Sequence, residues 1–332
     1  MLRALSYALI AATLALPVAS LVAEQAPAVP QATAPGARKP GEYPQGPDSK
    51  PQPGVPKGRL EGPIEFRSQI IANTVRQYWV YVPAQYTGTT PAAVLVFQDG
   101  NRAIGQTLNV PQVMENLIAK KEMPVTIGIF ISSGQRGDTF PADLGTGNGN
   151  NRAQEYDAVN DTYGRFLMEE MLPEVGKKYK LTDNVDGRVI GGTSSGAICA
   201  FTVAWFHPEA FRKVVSGIGS YTSIGYQPAR EGRPAVSGGE MYPTLIRRAA
   251  PKPIRIFLQD GSNDLSNQFG SWFLANQQML SAFEYANATA DGRKDPGPRY
   301  DLNHEWGDGA HADTHLGAIL PDVLRWMFRD YK

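Results

Sequence analysis

Residues 192–196 read Gly-Thr-Ser-Ser-Gly and place Ser194 between two glycines at Gly-x-Ser-x-Gly spacing. A short apolar run precedes this segment, and an apolar stretch of helical length follows it. In a strand-turn-helix setting, small residues two positions before and after the serine allow a tight turn that raises the serine above a sheet. The pattern predicts a nucleophilic Ser194 that attacks an acyl carbon, with the backbone N–H of Ser195 as one oxyanion donor.

A nucleophilic serine needs a general base, usually a histidine, that takes its proton. Two of the four histidines, His311 and His315, follow the last predicted strand. We favour His311 as the base because it directly follows the Gly-Asp-Gly-Ala turn at 307–310. His315 would then support the site or contact the substrate.

The base in turn needs an acid that fixes its tautomer, and two carboxylates follow a predicted strand at 254–258. Asp264 lies further into this loop, where it can reach a histidine across the site, so we favour it as the acid. Asp260 stands at the end of the strand, where an aspartate often braces a turn through backbone N–H groups. Asp260 nevertheless stays open as the second candidate for the acid.

A second oxyanion donor is expected after the strand predicted at 92–97, which runs into Gln-Asp-Gly-Asn. The backbone N–H of Gly100 or Asn101 is the candidate, although an ordinary Asp-Gly turn has the same sequence. Arg152 and Glu155 stand at the start of a long predicted helix, where they either pair structurally or contact the substrate. Two long loops at 132–151 and 218–242 are expected to shape the pocket.

A metal site is a competing interpretation of the same histidine pair. His311 and His315 have the spacing of two ligands on one helical face, with Asp308 or Asp313 as further ligands. However, Ala312 stands where a His-Glu-x-x-His metalloprotease has its glutamate, and a metal site leaves the serine turn without a role. We therefore predict no metal and no cofactor.

The scaffold that brings these residues together is predicted from short apolar runs that alternate with helical patterns. Strands are expected at 64–72, 77–82, 92–97, 125–131, 188–191, 213–215, 254–258 and 299–306, and helices at 110–120, 153–179, 196–206, 243–249, 269–288 and 316–331. Such alternation is typical of an α/β fold with a mostly parallel central sheet and helices on both faces. In such sheets, sites form at the carboxyl ends of the strands.

The N-terminus carries Arg3, an apolar stretch at 4–16 and then small residues up to Ala23, which is typical of a secretory signal peptide. We predict a signal peptide at 1–23, a disordered Pro/Ala/Gly-rich tether at 24–59 and one domain at 60–332. The apolar stretch is too short to span a bilayer. A periplasmic or secreted protein follows, and Cys199, the one cysteine in the sequence, leaves it without an internal disulfide.

The charges of the 332-residue chain balance, with 32 Lys plus Arg against 32 Asp plus Glu. A chain with no net charge creates no long-range field that would gather nucleic acid or an anionic membrane. The expected partner is therefore a small-molecule or carbohydrate-linked substrate. The oligomeric state is not predicted.

As a set, several segments resemble the esterase group of α/β-hydrolases that includes enterochelin, feruloyl and acetyl-xylan esterases, S-formylglutathione hydrolases and mycolyltransferases. The matching segments are 96–100, 152–156, 192–196, 260–264 and the C-terminal segment from 309 to 331. The resemblance implies an α/β-hydrolase fold with Ser194, Asp264 and His311 as the triad. Related members often have an aromatic residue four positions after the catalytic histidine, where this chain has His315.

The leading hypothesis is therefore an exported serine esterase that hydrolyses carboxylic esters through an acyl-enzyme, on siderophore or on feruloyl or acetyl carbohydrate esters. An acyltransferase on the same scaffold is a second hypothesis, because another alcohol can replace water in attacking the acyl-enzyme. A third hypothesis is a metal-dependent hydrolase that uses His311 and His315. A fourth is a non-catalytic binding module.

Overall fold

The computed structural model describes residues 39–142, 145, 147–295 and 297–331. The predicted signal peptide at 1–23 and residues 24–38 of the predicted tether lie outside the described residues. Within the described part of the chain, no helix has both the length and the apolar character that a membrane span requires.

A nine-stranded sheet forms the centre of the fold, and a separate two-stranded ribbon lies beside it. The strands are β1 (Arg59–Ser68), β2 (Thr74–Val82), β3 (Ala93–Gln98), β4 (Thr126–Ile131), β5 (Gln135–Arg136), β6 (Arg188–Thr193), β7 (Lys213–Gly217), β8 (Arg255–Asn263), β9 (Ser266–Asn267), β10 (Gly270–Ser271) and β11 (Asp301–Ala310).

The sheet is mixed but mostly parallel, with the order β1-β2-β4-β3-β6-β7-β8-β11 and β5 paired to β2. Strands β4, β3, β6, β7, β8 and β11 run parallel to one another. Strands β1 and β2 are antiparallel at one edge. The turns after β3, β6, β7, β8 and β11 therefore leave the sheet at one common edge.

The helices cover both faces of this sheet. They are α1 (Gly100–Ala103), α2 (Val110–Ala119), α3 (Arg152–Tyr156), α4 (Thr162–Arg165), a π-helical segment (Phe166–Met171), α5 (Leu172–Gly176), α6 (Ser195–Phe206), α7 (Tyr242–Arg248), α8 (Trp272–Asp291) and α9 (Thr314–Phe328). Short 3-10 turns occupy Pro47–Ser49, Val185–Gly187, Ser223–Gly225 and Gly239–Met241.

Two hydrophobic cores follow from the alternation of side chains along each strand. On β3, Val94 and Val96 enter the core that contains residues of α6, α7 and α8, whereas Leu95 and Phe97 enter the core that contains residues of α2 and α9. These four side chains are fully buried. The predicted α/β-hydrolase fold, with a mostly parallel sheet between two helical layers, is confirmed.

The single helix predicted at 153–179 is wrong. The chain leaves the helix after Tyr156, resumes at Thr162 and passes through the π-helical segment before α5. The backbone N–H of Thr162 donates to the side chain of Asn160 at 3.0 Å. Such local bonds from Asn and Asp compete with helical bonds, and the run 157–161 contains three of these residues.

The predicted disordered tether differs from the structure over residues 39–58, because this segment packs against the domain. Asn116 on α2 donates from its side-chain amide to the backbone oxygens of Asp48 and Lys50, at 2.8 and 2.9 Å. The Asp48 carboxylate also pairs with Arg325 on α9. Disorder was predicted because the segment has almost no large apolar side chains. The observed contacts use polar groups and backbone oxygens instead. We call residues 39–58 the N-terminal strap.

Candidate active site

The turn between β6 and α6 holds Ser194 in a strained backbone conformation, with φ 57° and ψ −125°. A Cβ atom on Gly192 would lie 2.4 Å from the carbonyl carbon of Gly196, so only glycine fits there. The backbone N–H of Ser194 donates to the Gly217 oxygen at 2.9 Å, which ties the turn to the end of β7. Residues outside the common backbone regions persist only where their surroundings impose them, and they cluster at functional sites.

Ser194, His311 and Asp264 lie in one hydrogen-bonded line. The Oγ of Ser194 is 2.9 Å from Nε2 of His311, and Nδ1 of His311 is 2.6 Å from Oδ1 of Asp264. The Asp264 side chain is fully buried, whereas about a fifth of the His311 side chain is exposed. A buried carboxylate against Nδ1 fixes the tautomer in which Nε2 accepts a proton from the serine.

Asp260 takes a different position from Asp264. It is fully buried on β8, where its carboxyl accepts from the N–H of Gly261 and from the amide of Asn276, both at 2.6 Å. Burial, followed by the hydrogen bond and the charge of Asp264, raises the pKa of Asp260 to about 9. These effects favour the neutral form of Asp260, which braces the turn, while Asp264 faces His311.

His315 stands in the first turn of α9 and does not share the partners of His311. Its Nδ1 is 2.9 Å from Nε2 of Gln259, and its Nε2 is 3.0 Å from a carboxylate oxygen of Glu305. Tyr43 of the strap stacks on the imidazole, with ring centroids 3.9 Å apart and planes at 20°. His315 is thus buried, and protein groups face both of its ring nitrogens.

The residues predicted as oxyanion donors stand at the N-termini of two helices. Helix α6 begins at Ser195 and α1 begins at Gly100, and the first N–H groups of a helix have no acceptor within it. Asp99, directly before α1, is left-handed with φ 52°. Gly100 also lies against β4, because a Cβ there would be 2.4 Å from the Phe130 carbonyl carbon. The Asn101 amide donates to two backbone oxygens of the long loop at 132–151, at 2.7 and 2.8 Å.

Arg152 and Glu155 pair with different partners rather than with each other. Arg152 holds both carboxylate oxygens of Asp99, from Nε at 2.9 Å and from a terminal nitrogen at 2.7 Å. Glu155 pairs with Arg76 at 2.8 Å, and both of these side chains are buried. Arg152 therefore braces the turn that carries the candidate donors of α1, and the Arg76–Glu155 pair anchors α3 to β2.

A third carboxyl group, Asp157, adjoins the serine turn. It is buried, and burial raises its pKa to about 6, against the opposing effects of a hydrogen bond to Ser195 and the charge of Arg152. Asp157 is absent from the residues predicted from the sequence, because a continuous helix was expected there. The Asn and Asp residues of 157–161 are the signal that could have indicated a break.

Ser220 and Trp272 are also absent from the predicted site residues. Ser220 Oγ lies 3.1 Å from Ser194 Oγ and accepts a hydrogen bond from Trp272 Nε1 at 3.0 Å. The Trp272 ring meets the His311 ring nearly edge-on, with centroids 5.8 Å apart. Ser220 lies in the predicted pocket loop at 218–242, but no motif marks either residue.

The hypothesis of a metal at His311 and His315 finds no ligand cluster in the described part of the chain. No group of three or more His, Cys, Asp and Glu side chains there is arranged to hold a metal ion. Each ring nitrogen of the two histidines instead faces a protein group.

A protein-family model described as "Putative esterase" matches residues 68–308, which is more than half of the chain. The match covers the strands from β2 to most of β11, together with the turns that carry Ser194 and Asp264.

Solved structures of esterases share the fold. The enterobactin esterase of Shigella flexneri, crystallised with 2,3-dihydroxy-N-benzoyl-glycine, superposes with a TM-score of 0.59 at 20% identity. The match covers 85% of this chain and 62% of that enzyme, so this chain spans less than two thirds of its length. A ferulic acid esterase superposes with a TM-score of 0.56 at 18% identity, over 82% of this chain and 99% of that one. The feruloyl esterase module from Clostridium thermocellum, complexed with sinapinate, gives 0.55 at 17% identity, over 89% and 96%.

Proposed function

The chain belongs to the Putative esterase family, and on that premise we propose that it hydrolyses carboxylic esters through an acyl-enzyme on Ser194. His311 is the general base and acid in this proposal, and Asp264 orients it. Family membership supports an esterase. The roles of these three side chains are inferred from their geometry.

The observation that carries the proposal is the continuous line from Ser194 through His311 to Asp264, with separations of 2.9 and 2.6 Å. Both distances are within the reach that proton transfer and tautomer control require. The three residues come from three separate loops. Neither the local chemistry of a turn nor the packing of the core requires these side chains to meet.

Acylation follows from this arrangement. Ser194 Oγ attacks the carbonyl carbon as its proton passes to Nε2 of His311, and the carbonyl oxygen gains the negative charge. The N–H groups of Ser195 and of Gly100 or Asn101 donate to that oxyanion. The tetrahedral intermediate then collapses, the bond to the alcohol oxygen breaks, and His311 returns the proton to the departing alcohol.

Deacylation repeats these steps with water. Nε2 of His311 takes a proton from the water, whose oxygen bonds to the acyl carbon and forms a second oxyanion. Collapse releases the carboxylic acid, and His311 returns the proton to Ser194 Oγ. Another alcohol in place of water would give acyl transfer, so the choice of acceptor decides between hydrolase and transferase.

The substrate that we propose is a small ester with an aromatic group, such as a catecholate-siderophore or a feruloyl ester. The support is that structures of the same fold were crystallised with a dihydroxybenzoyl compound and with sinapinate. We further propose that a signal peptide at 1–23 exports the protein to the periplasm or the medium. N-terminal sequencing of the mature protein should then begin near residue 24.

Covalent labelling tests the nucleophile. A fluorophosphonate probe should label the wild-type protein, and Ser194→Ala should abolish labelling and lower kcat by about 10⁶-fold. Ser216→Ala is the matched control, because Ser216 is another buried serine of the neighbouring strand whose Oγ is 2.9 Å from the Tyr221 hydroxyl. Undiminished labelling of a folded Ser194→Ala variant would overturn the proposal.

A substrate panel tests the specificity. Feruloyl, acetyl-sugar, catecholate-siderophore and short p-nitrophenyl esters should be compared by kcat/KM, with product analysis in the presence of added alcohols. We expect the aromatic esters to be hydrolysed with the highest kcat/KM. A preference for acetyl sugars would contradict the substrate class and leave the nucleophile unaffected.

A further inference from the structure

Ser220 is a second hydroxyl in contact with the proposed nucleophile. Its Oγ lies 3.1 Å from Ser194 Oγ, and the residue is fully buried. Its backbone N–H also donates to the Ser194 carbonyl oxygen at 3.2 Å. The loop reaches this position through Ile218, whose φ of 41° is rare for a β-branched residue. Ser220 is therefore held against the serine turn through both its backbone and its side chain.

The direction of the proton between the two hydroxyls follows from their other partners. The indole nitrogen of Trp272 can only donate, so Ser220 Oγ accepts from it at 3.0 Å. Ser194 must donate to His311 Nε2, because Nδ1 keeps its proton for the Asp264 carboxylate. The Ser220 hydroxyl is consequently the donor to Ser194 Oγ.

A directed chain of donors results, from Trp272 to Ser220, from Ser220 to Ser194 and from Ser194 to His311. Each member polarises the next in the same sense, and a buried setting strengthens such chains. Trp272 is 2% exposed, and Ser220 is inaccessible to solvent. The Trp272 ring also contacts the His311 ring. Trp272 is therefore the first donor in this series of hydrogen bonds and also touches its last member.

Resting on the proposed function, we propose that Ser220 is a further catalytic residue and that Trp272 is its positioning residue. The Ser220 hydroxyl donates to Ser194 Oγ and stabilises the negative charge that develops there as His311 takes the proton. It acts again in deacylation, when the bond between the acyl carbon and Oγ breaks and Oγ departs as an alkoxide that His311 protonates. The indole N–H of Trp272 donates to a lone pair of Ser220 Oγ. The hydroxyl proton of Ser220 therefore points toward Ser194 Oγ.

The test compares Ser220→Ala and Trp272→Phe with Ser216→Ala, measuring steady-state hydrolysis of a p-nitrophenyl ester and the rate of fluorophosphonate labelling. Removal of one donor to a developing oxyanion typically costs about 100-fold or more in kcat. Since this donor faces Ser194 Oγ rather than the carbonyl oxygen, we expect Ser220→Ala to lower kcat by about 10- to 100-fold. KM should change by less than about twofold, since the lost interaction strengthens only in the transition state.

Trp272→Phe retains an aromatic ring beside His311 and removes only the indole N–H. We expect a smaller loss of kcat, about three- to tenfold, and a double variant no slower than Ser220→Ala, because residues that act through one another are not additive. Ser216→Ala removes a buried hydroxyl that does not contact Ser194, and it should retain wild-type kcat.

Three outcomes would overturn the assignment. They are a Ser220→Ala kcat within twofold of wild type, an equal loss in Ser216→Ala, and additive losses in the double variant, which would remove Trp272 from the chain. Should Ser220→Ala fail to fold, an unchanged kcat in Trp272→Phe overturns the proposal. Failure of the proposed function gives a different result: the fluorophosphonate probe would still label the Ser194→Ala variant.

Discussion

The two aspartates that follow the apolar part of β8 are four residues apart, yet they occupy different chemical environments. Asp264 faces His311 Nδ1 at 2.6 Å, and Asp260 faces Gly261 and Asn276. We therefore expect Asp264→Asn to lower kcat by about 10⁴-fold, because an amide at this position favours the wrong histidine tautomer. Steady-state kinetics on a p-nitrophenyl ester measure this loss. The matched variant Asp260→Asn should lose far less, and the reverse ranking would make Asp260 the acid.

The protonation of Asp260 gives a separate prediction about stability. Its pKa in the folded protein is about 9, against about 3.9 in an unfolded chain. Between these values the folded state binds more protons, so the free energy of unfolding falls as pH rises from about 4 to about 9. The stabilisation is complete below about pH 4 and is lost through pH 9.

Asp260→Asn removes this titration and should flatten the pH dependence of stability by up to about 1.4 kcal/mol per pH unit between pH 5 and 8. Urea unfolding at a series of pH values measures the slope. An unchanged slope in the variant would mean that Asp260 is ionised in the folded protein.

At the scale of elements, the turn between β3 and α1 depends on the Arg152–Asp99 pair. Arg152 donates to both carboxylate oxygens of Asp99, whose backbone is left-handed. The candidate oxyanion donors of α1 directly follow Asp99 in the sequence. Lysine cannot make this two-point contact. We expect Arg152→Lys to lower kcat by about tenfold or more with little change in KM, as for a weakened oxyanion donor.

Esterase kinetics measure the Arg152→Lys effect, and Arg165→Lys is the matched control. Arg165 makes an exposed ion pair with Glu169, and such pairs contribute little to stability. Equal kcat values for the two variants would show that Arg152 does not support the turn between β3 and α1.

The sequence could predict the elements whose signal is local. Strands such as β3 and β4 are mostly apolar, and the Gly192–Ser194–Gly196 spacing can be recognised without knowledge of its spatial neighbours. The contact of Ser220 with Ser194 depends instead on how the end of β7 sits against the end of β6. No periodicity in the sequence encodes such a contact between separate loops.

At the scale of the whole molecule, the N-terminal strap connects the start of the described chain to the turn that carries His311. The Tyr43 hydroxyl donates to the Asp308 carboxylate at 2.7 Å and accepts from the Asp308 N–H at 2.8 Å, while its ring stacks on His315. We expect a chain that begins at residue 59 to be less stable than one that begins at residue 39. A loss of about 2 kcal/mol would lower Tm by about 4–8 °C, and kcat should fall as well.

Thermal unfolding and esterase kinetics of the two truncated chains check this expectation, and Tyr43→Phe separates the contributions. Phenylalanine retains the stacking on His315 and loses both hydrogen bonds to Asp308, so its Tm should lie between those of the two chains. Identical Tm and kcat values for the two truncated chains would show that the strap does not support the site.

The strap contacts residues that are synthesised much later than the strap itself. Tyr43 and Asp308 are 265 positions apart, and Asp48 and Arg325 are 277 positions apart. The strap therefore leaves the ribosome among the first segments of the domain, and its partners leave among the last. His311 belongs to this late group, so a nascent chain that ends before His311 carries Ser194 without the proposed general base. Esterase activity should appear only when the polypeptide is nearly finished.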